Sequence, residues 1–133
     1  MKKIIILMLC VVLLGLTGCK RKEEIVKMKD LDFTICDESK MPKELIDIVN
    51  EKKENVFKLT FNTKDYLFIV VGYGQQNRSN LSVTVEELYM TKNAIYIDTN
   101  LISDETSVKR ENLISYPYVV VKCENYELPV LFK

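Results

Sequence analysis

The sequence predicts an α+β fold in which one helix packs on a mostly antiparallel β-sheet, sandwich-like or barrel-like, of about seven strands. Three observations support this prediction. One amphipathic segment has helical periodicity, and most other apolar segments are short and alternating, as in strands. The hydrophobic fraction of 47% is in the normal range for a globular protein, and 133 residues suffice for one small domain.

The first predicted elements are a strand and the helix. Leu31–Ile35 alternates apolar and polar residues, which is typical of a half-buried strand. The helix is predicted for Pro42–Lys53, because Leu45, Ile46 and Val49 share one helical face and a proline suits the first turn.

The segments after the helix predict strands, because they alternate in polarity or are rich in β-branched and aromatic residues. They are Val56–Asn62, Tyr66–Val71, Leu81–Val85, Ala94–Ile97, Tyr118–Val121 and Pro129–Phe132. Tyr66–Val71 is continuously apolar, as expected for a central strand covered on both faces.

The N-terminus has the pattern of a secretory signal peptide. Lys2 and Lys3 precede an apolar run from Ile4 to Leu14, and small residues follow it. At 1.5 Å per residue this run covers about half of a ~30 Å hydrocarbon core, so it is too short for a transmembrane helix.

The segment Leu16-Thr17-Gly18-Cys19 resembles a bacterial lipobox. We therefore expect a signal peptide at 1–18, cleavage between Gly18 and Cys19, a lipidated tether at 19–30 and a domain at 31–133. Two acyl chains on Cys19 would anchor the protein outside the cytoplasm, at the bacterial cell membrane. The basic residues that follow Cys19 either contact anionic headgroups or hold the domain off the surface.

Composition excludes several functional classes. Lys+Arg and Asp+Glu are both 19, so the basic excess of a nucleic-acid binder is absent. The chain has no histidine, which removes imidazole catalysis and the usual zinc site. Glu86 and Glu87 are adjacent in a predicted strand and point to opposite faces unless a bulge separates them. We expect no enzymatic activity, no cofactor and no metal site.

Cys36 and Cys123 are the cysteines that remain beyond Cys19. Each follows a strand-like segment, and outside the cytoplasm the two can form a disulfide. The alternative is a pair of unpaired, partly buried thiols that act as small hydrophobic side chains.

The most informative polar segment follows the central strand. Glycine permits positive φ and a sharp exit from a sheet, and the segment then becomes polar. It consists of Gly72, Tyr73, Gly74, Gln75, Gln76, Asn77, Arg78, Ser79 and Asn80. Two interpretations are open: an ordinary hairpin loop, or an exposed recognition loop on a rigid sheet that contacts a partner.

From Leu31 to Lys133 the chain resembles the PrcB C-terminal domain family, named for a lipoprotein subunit of a bacterial surface protease complex. The residues that carry the resemblance are Leu31-Asp-Phe-Thr34, Pro42-Lys-Glu-Leu45, Phe57-Lys-Leu-Thr60, Tyr66-Leu-Phe-Ile-Val-Val-Gly-Tyr-Gly-Gln75, Leu81-Ser-Val83, Tyr116-Pro-Tyr-Val-Val-Val121 and Pro129-Val-Leu-Phe132. The family pattern Pro-Thr-Gly-Gly-Tyr that follows the glycines is replaced here by residues 77–81.

This resemblance implies a non-enzymatic accessory subunit that stabilises or regulates a surface protease or contacts another envelope protein. Two alternatives stay open. One is a small-molecule or cell-wall binding lipoprotein with a cavity between the helix and the sheet. The other is a protease inhibitor that acts through the loop at 74–81.

Overall fold

The structure is a computed structural model that describes residues 26–104 and 111–133. These residues form ten strands and one α-helix. The strands are β1 (Lys29–Asp30), β2 (Thr34–Ile35), β3 (Val56–Asn62), β4 (Tyr66–Tyr73), β5 (Gln76–Arg78), β6 (Leu81–Met90), β7 (Ile95–Ser103), β8 (Glu111–Ser115), β9 (Tyr118–Glu124) and β10 (Val130–Phe132). The helix α1 is Lys43–Lys52, and a 3-10 turn at Glu38–Lys40 precedes it.

The predicted signal peptide, the predicted cleavage site at Gly18 and Cys19 and most of the predicted tether lie outside the described residues. Among the residues that are described, no helix has the length and apolar character needed to cross a membrane.

The strands form two four-stranded sheets and a separate two-stranded ribbon. The outer sheet has the order β1-β6-β7-β10, the central sheet has the order β2-β9-β4-β3, and the ribbon pairs β5 with β8. All these pairs are antiparallel except β7 with β10. The predicted α+β class with a mostly antiparallel sheet is confirmed, and the arrangement is a sandwich rather than a closed barrel.

The central sheet is buried on both faces. Side chains alternate along β4, so Leu67, Ile69 and Val71 face the outer sheet while Phe68 and Val70 face the helix. The prediction that Tyr66–Val71 is a central strand is therefore confirmed. Two core clusters result, one between the sheets and one between the central sheet and α1.

The predicted helix is confirmed, with Pro42 at its N-cap position. Leu45 and Val49 are fully buried and pack in the same cluster as Phe68 and Val70, while Ile46 is partly buried against it. Burial of this apolar face stabilises the short helix, because a ten-residue helix alone is marginal in water.

The strand predicted at Leu31–Ile35 is divided between the two sheets. The N–H of Leu31 donates to the carbonyl of Leu88 in the outer sheet, at 3.0 Å. The N–H of Cys36 donates to the carbonyl of Val120 in the central sheet, at 2.8 Å. The chain thus crosses from one sheet to the other between these residues, and each sheet receives a strand of two residues.

The number of strands was underestimated. The described residues contain ten strands rather than about seven, and the unpredicted ones are β1, β5 and β8. The predicted strands at Leu81–Val85 and Ala94–Ile97 belong to longer strands, β6 and β7. A register shift between Val85 and Glu87 lets β6 continue to Met90.

Candidate interaction surface

The two glycines at the end of β4 have different roles. Gly74 has φ +75° and leaves the sheet, as predicted. Gly72 stays inside β4, where a Cβ atom would lie 2.2 Å from Cε1 of Phe57. Gly72 is therefore needed for the packing of Phe57 and does not belong to an exposed recognition loop.

The residues on both sides of Gly74 form hydrogen bonds with the rest of the domain. The hydroxyl oxygens of Tyr73 and Thr99 lie 2.7 Å apart and join the two sheets. The side-chain amide of Gln76 donates to the carbonyl of Tyr73 at 3.1 Å, and the N–H of Gln75 donates to the carbonyl of Glu54 at 3.1 Å. The segment consequently leaves the central sheet in a defined direction.

The predicted loop is a strand over part of its length. β5 pairs antiparallel with β8, with Gln76 opposite Ser115 and Arg78 opposite Glu111. The hydroxyl of Ser115 also donates to the carbonyl of Arg78. The interpretation of residues 75–80 as an ordinary hairpin loop is wrong, because their partner strand is distant in sequence.

After β5, two hydrogen bonds join Asn80 to Asp104, the residue that follows β7. The N–H of Asp104 donates to the carbonyl of Asn80, and the side-chain amide of Asn80 donates to the carbonyl of Asp104, both at 2.9 Å. These bonds continue the pairing of Leu81 with Ser103, so the ribbon joins the outer sheet at that end.

The ribbon exposes apolar side chains. Leu113 and Ile114 of β8 are 45% and 56% exposed, although both are large aliphatic residues. Asn77 and Arg78 of the paired strand β5 and the following Ser79 are also exposed. Leu113 and Ile114 lie in the part of β8 between the Ser115–Gln76 and Glu111–Arg78 pairs, where the register shifts, so the regular alternation of a strand is interrupted there. We name Asn77, Arg78, Ser79, Leu113 and Ile114 the ribbon surface.

Two of the five residues of the ribbon surface were missed in the sequence. Asn77, Arg78 and Ser79 belong to the predicted partner segment, whereas Leu113 and Ile114 lie in an unpredicted strand. The signal available was the short apolar pair between polar residues, which is too brief to distinguish a strand from a loop.

Comparison with known families identifies the segment that contains the ribbon. Residues 67–124 match the family model described as PrcB C-terminal. Over these residues the chain is similar to the PrcB C-terminal domain family, and the match supports that family. Comparisons with curated proteins and with solved structures gave no significant match. The PrcB C-terminal segment includes both strands of the ribbon and all of β6, β7 and β9.

Cys36 and Cys123 do not form a disulfide in the structure, where both are free and buried. Cys36 lies opposite Val120 on the helix side of the central sheet, and Cys123, three residues further along β9, faces the outer sheet. Burial raises the pKa of Cys36, and burial with the nearby Glu124 raises that of Cys123 to about 11. The alternative of two unpaired buried thiols describes this arrangement.

Glu86 and Glu87 lie at the β6 bulge that would allow them to share a face. They nevertheless have separate partners. Glu86 accepts a hydrogen bond from the hydroxyl of Thr84 at 2.8 Å, and Glu87 forms an ion pair with Lys133 at 3.1 Å. Over residues 26–104 and 111–133, no group of three or more cysteine and acidic side chains is arranged to hold a metal ion.

A shallow cleft of about 330 Å³ lies beside β2, away from the helix. Phe33, Tyr66 and Glu124 contribute to its lining, and the ammonium of Lys122 lies 4.0 Å from the centre of the Tyr66 ring. This cleft is not the ligand cavity that was expected between the helix and the sheet. Between the helix and the sheet, Leu45 and Val49 pack directly on the central sheet.

Proposed function

We propose that this protein is a non-enzymatic, lipid-anchored extracytoplasmic protein whose PrcB C-terminal domain binds another protein through the ribbon surface. The observation that carries the proposal is the exposure of Leu113 and Ile114 on a ribbon whose strand β5 is hydrogen-bonded to the rest of the domain through Gln76 and Asn80. Large apolar side chains that are exposed next to one another mark surfaces at which proteins contact other proteins.

The family match supports this choice of surface. The matched segment contains both ribbon strands, so the ribbon belongs to the part of the chain that defines the family. The resemblance to a subunit of a surface protease complex makes a surface protease the first partner to test. Stabilisation or regulation of that protease is the finer part of the proposal.

The proposed absence of catalysis rests on the side chains available. The sequence has no histidine, and the raised pKa values of Cys36 and Cys123 keep both buried thiols protonated at neutral pH. A protonated, buried thiol is a poor nucleophile. Glu86 and Glu87 have partners of their own and are exposed.

The proposed anchor rests on the lipobox-like segment Leu16-Thr17-Gly18-Cys19 after a short apolar run. A thiol at Cys19 is the group that accepts the diacylglyceryl chain, and two acyl chains bind a membrane stably. Cys19→Ala is expected to release the protein or to leave an unprocessed precursor. An unchanged membrane fraction of mature size would contradict the anchor.

The interaction is tested by photo-crosslinking in intact cells. A photoreactive residue at Asn77 is expected to yield a discrete protein adduct that the same residue at Leu131, on the outer sheet, does not yield. Assay of the crosslinked partner then separates the roles: inhibition of a protease would favour the inhibitor alternative, and stabilisation would favour the accessory subunit. Identical adducts at both positions would contradict a partner surface on the ribbon.

A further inference from the structure

The N-terminal chain enters the sandwich at one end of the outer sheet. Lys29 and Asp30 pair with Met90 and Tyr89, the last residues of β6. The N–H of Met28 also donates to the carbonyl of Met90, at 2.9 Å. The segment that follows Cys19 therefore reaches the domain where β6 ends, which we name the entry end.

The ribbon is attached at the opposite end of the same strand. β5 is followed by β6 at Leu81, and the hydrogen bonds between Asn80 and Asp104 tie this end of the outer sheet together. β6 runs from Leu81 to Met90, and ten residues of strand span about 30 Å. The ribbon surface and the entry end are thus separated by the length of the sandwich.

The chain between the predicted lipid and the domain is short. Only residues 20–25 separate Cys19 from Val26, the first described residue. A fully extended chain of this length spans at most about 25 Å, which is less than the length of β6. A lipid on Cys19 therefore keeps the entry end close to the membrane.

We propose that the entry end faces the membrane and that the ribbon surface points away from it, toward a folded extracytoplasmic domain of its partner. This inference rests on the lipid anchor of the proposed function. The partner contact then lies about 30 Å or more beyond the lipid surface. Leu113 and Ile114 are consequently placed to contact protein rather than acyl chains or a transmembrane segment.

The orientation is measured with the mature, lipidated protein in vesicles that contain headgroup-labelled nitroxide lipid. Single fluorophores are attached at Lys92→Cys and Ser79→Cys, both exposed positions. Lys92 lies in the turn after β6, at the entry end, and Ser79 lies on the ribbon surface. The unsubstituted protein is the labelling control, because Cys36 and Cys123 are buried.

Flotation with the vesicles measures whether the protein is anchored to the membrane, and quenching of the fluorescence measures its orientation. We expect the protein to float with the vesicles, with a large loss of fluorescence at Lys92→Cys and little loss at Ser79→Cys. Equal losses, or a larger loss at Ser79→Cys, in floating protein would overturn the orientation and leave the anchor intact. Protein that does not float would overturn both.

A longer tether is the matched control. Insertion of twenty Gly/Ser residues between Lys22 and Glu23 adds about 25 Å of flexible reach. We expect the loss of fluorescence at Lys92→Cys to become smaller while flotation is unchanged. An unaltered loss would show that tether length does not hold the entry end at the membrane, and would also overturn the proposal.

Discussion

The ring of Phe57 occupies the space that a side chain at Gly72 would need. The two residues are opposite each other on β3 and β4, and a Cβ atom at Gly72 would lie 2.2 Å from Cε1 of the ring. Real Cβ atoms do not approach a neighbour this closely, so the glycine and the aromatic residue form a packed pair. Gly72 thus contributes to the cluster beneath α1, although the sequence analysis placed it at the start of the polar segment.

Gly72→Ala is expected to lower the free energy of unfolding by about 1–3 kcal/mol, because the ring of Phe57 must shift in a packed core. Denaturant unfolding at constant m-value measures the change. Phe57→Leu removes the ring. The double variant should therefore lose less unfolding free energy than the sum of the losses in the two single variants. Additive losses would contradict the proposed contact.

The hydrogen bond between Tyr73 of β4 and Thr99 of β7 is expected to stabilise the packing of the two sheets against each other. Tyr73→Phe should reduce the free energy of unfolding by about 1 kcal/mol, since it leaves a partly buried hydroxyl without its partner. A double-mutant cycle with Thr99→Val measures the coupling, which we expect to be about 0.5–1.5 kcal/mol. A coupling near zero would show that the hydroxyl groups do not interact.

Stability is expected to depend on pH through Cys123. Burial raises its pKa from 9.0 to about 11, so between these values the folded protein holds a proton that the unfolded chain releases. The free energy of unfolding contributed by this thiol is therefore complete below pH 9 and is lost as the pH rises toward 11. Denaturant titrations at a series of pH values measure the slope.

Cys123→Ala is the control for that slope, because every other titratable group is the same in the two proteins. The difference in unfolding free energy between the two proteins should decrease as the pH rises from about 9 to about 11. A constant difference over this range would contradict a raised pKa. Thiol reagents should also modify neither Cys36 nor Cys123 in the folded protein at neutral pH, since both are buried.

Much of the fold was predictable because burial leaves a periodic pattern in the sequence. The continuous apolar run of β4 indicated its central position, and Leu45 and Val49 indicated the buried face of α1. The division of Leu31–Ile35 between two sheets left no such signal, because alternation shows which residues are buried but not which sheet they join.

The ribbon was less predictable, because its strands pair over a long sequence separation. Gln76–Arg78 is polar throughout and becomes a strand only through pairing with β8. The bulge near Glu86 also has no residue pattern of its own, although it allows β6 to continue to Met90. The sequence analysis therefore located three of the five residues of the ribbon surface, and only the strand pairing in the structure revealed Leu113 and Ile114.

In the proposed interaction, Leu113 and Ile114 form the centre of the partner contact. Its most direct test is the affinity between the protein that crosslinks at Asn77 and the Leu113→Asp/Ile114→Asp double variant. We expect binding to weaken by about tenfold or more, equivalent to at least ~1.4 kcal/mol, with unfolding unchanged. Leu131→Asp, at a residue 47% exposed on the outer sheet, should bind normally. Unchanged affinity of the double variant, or equal weakening by Leu131→Asp, would contradict a partner contact centred on Leu113 and Ile114.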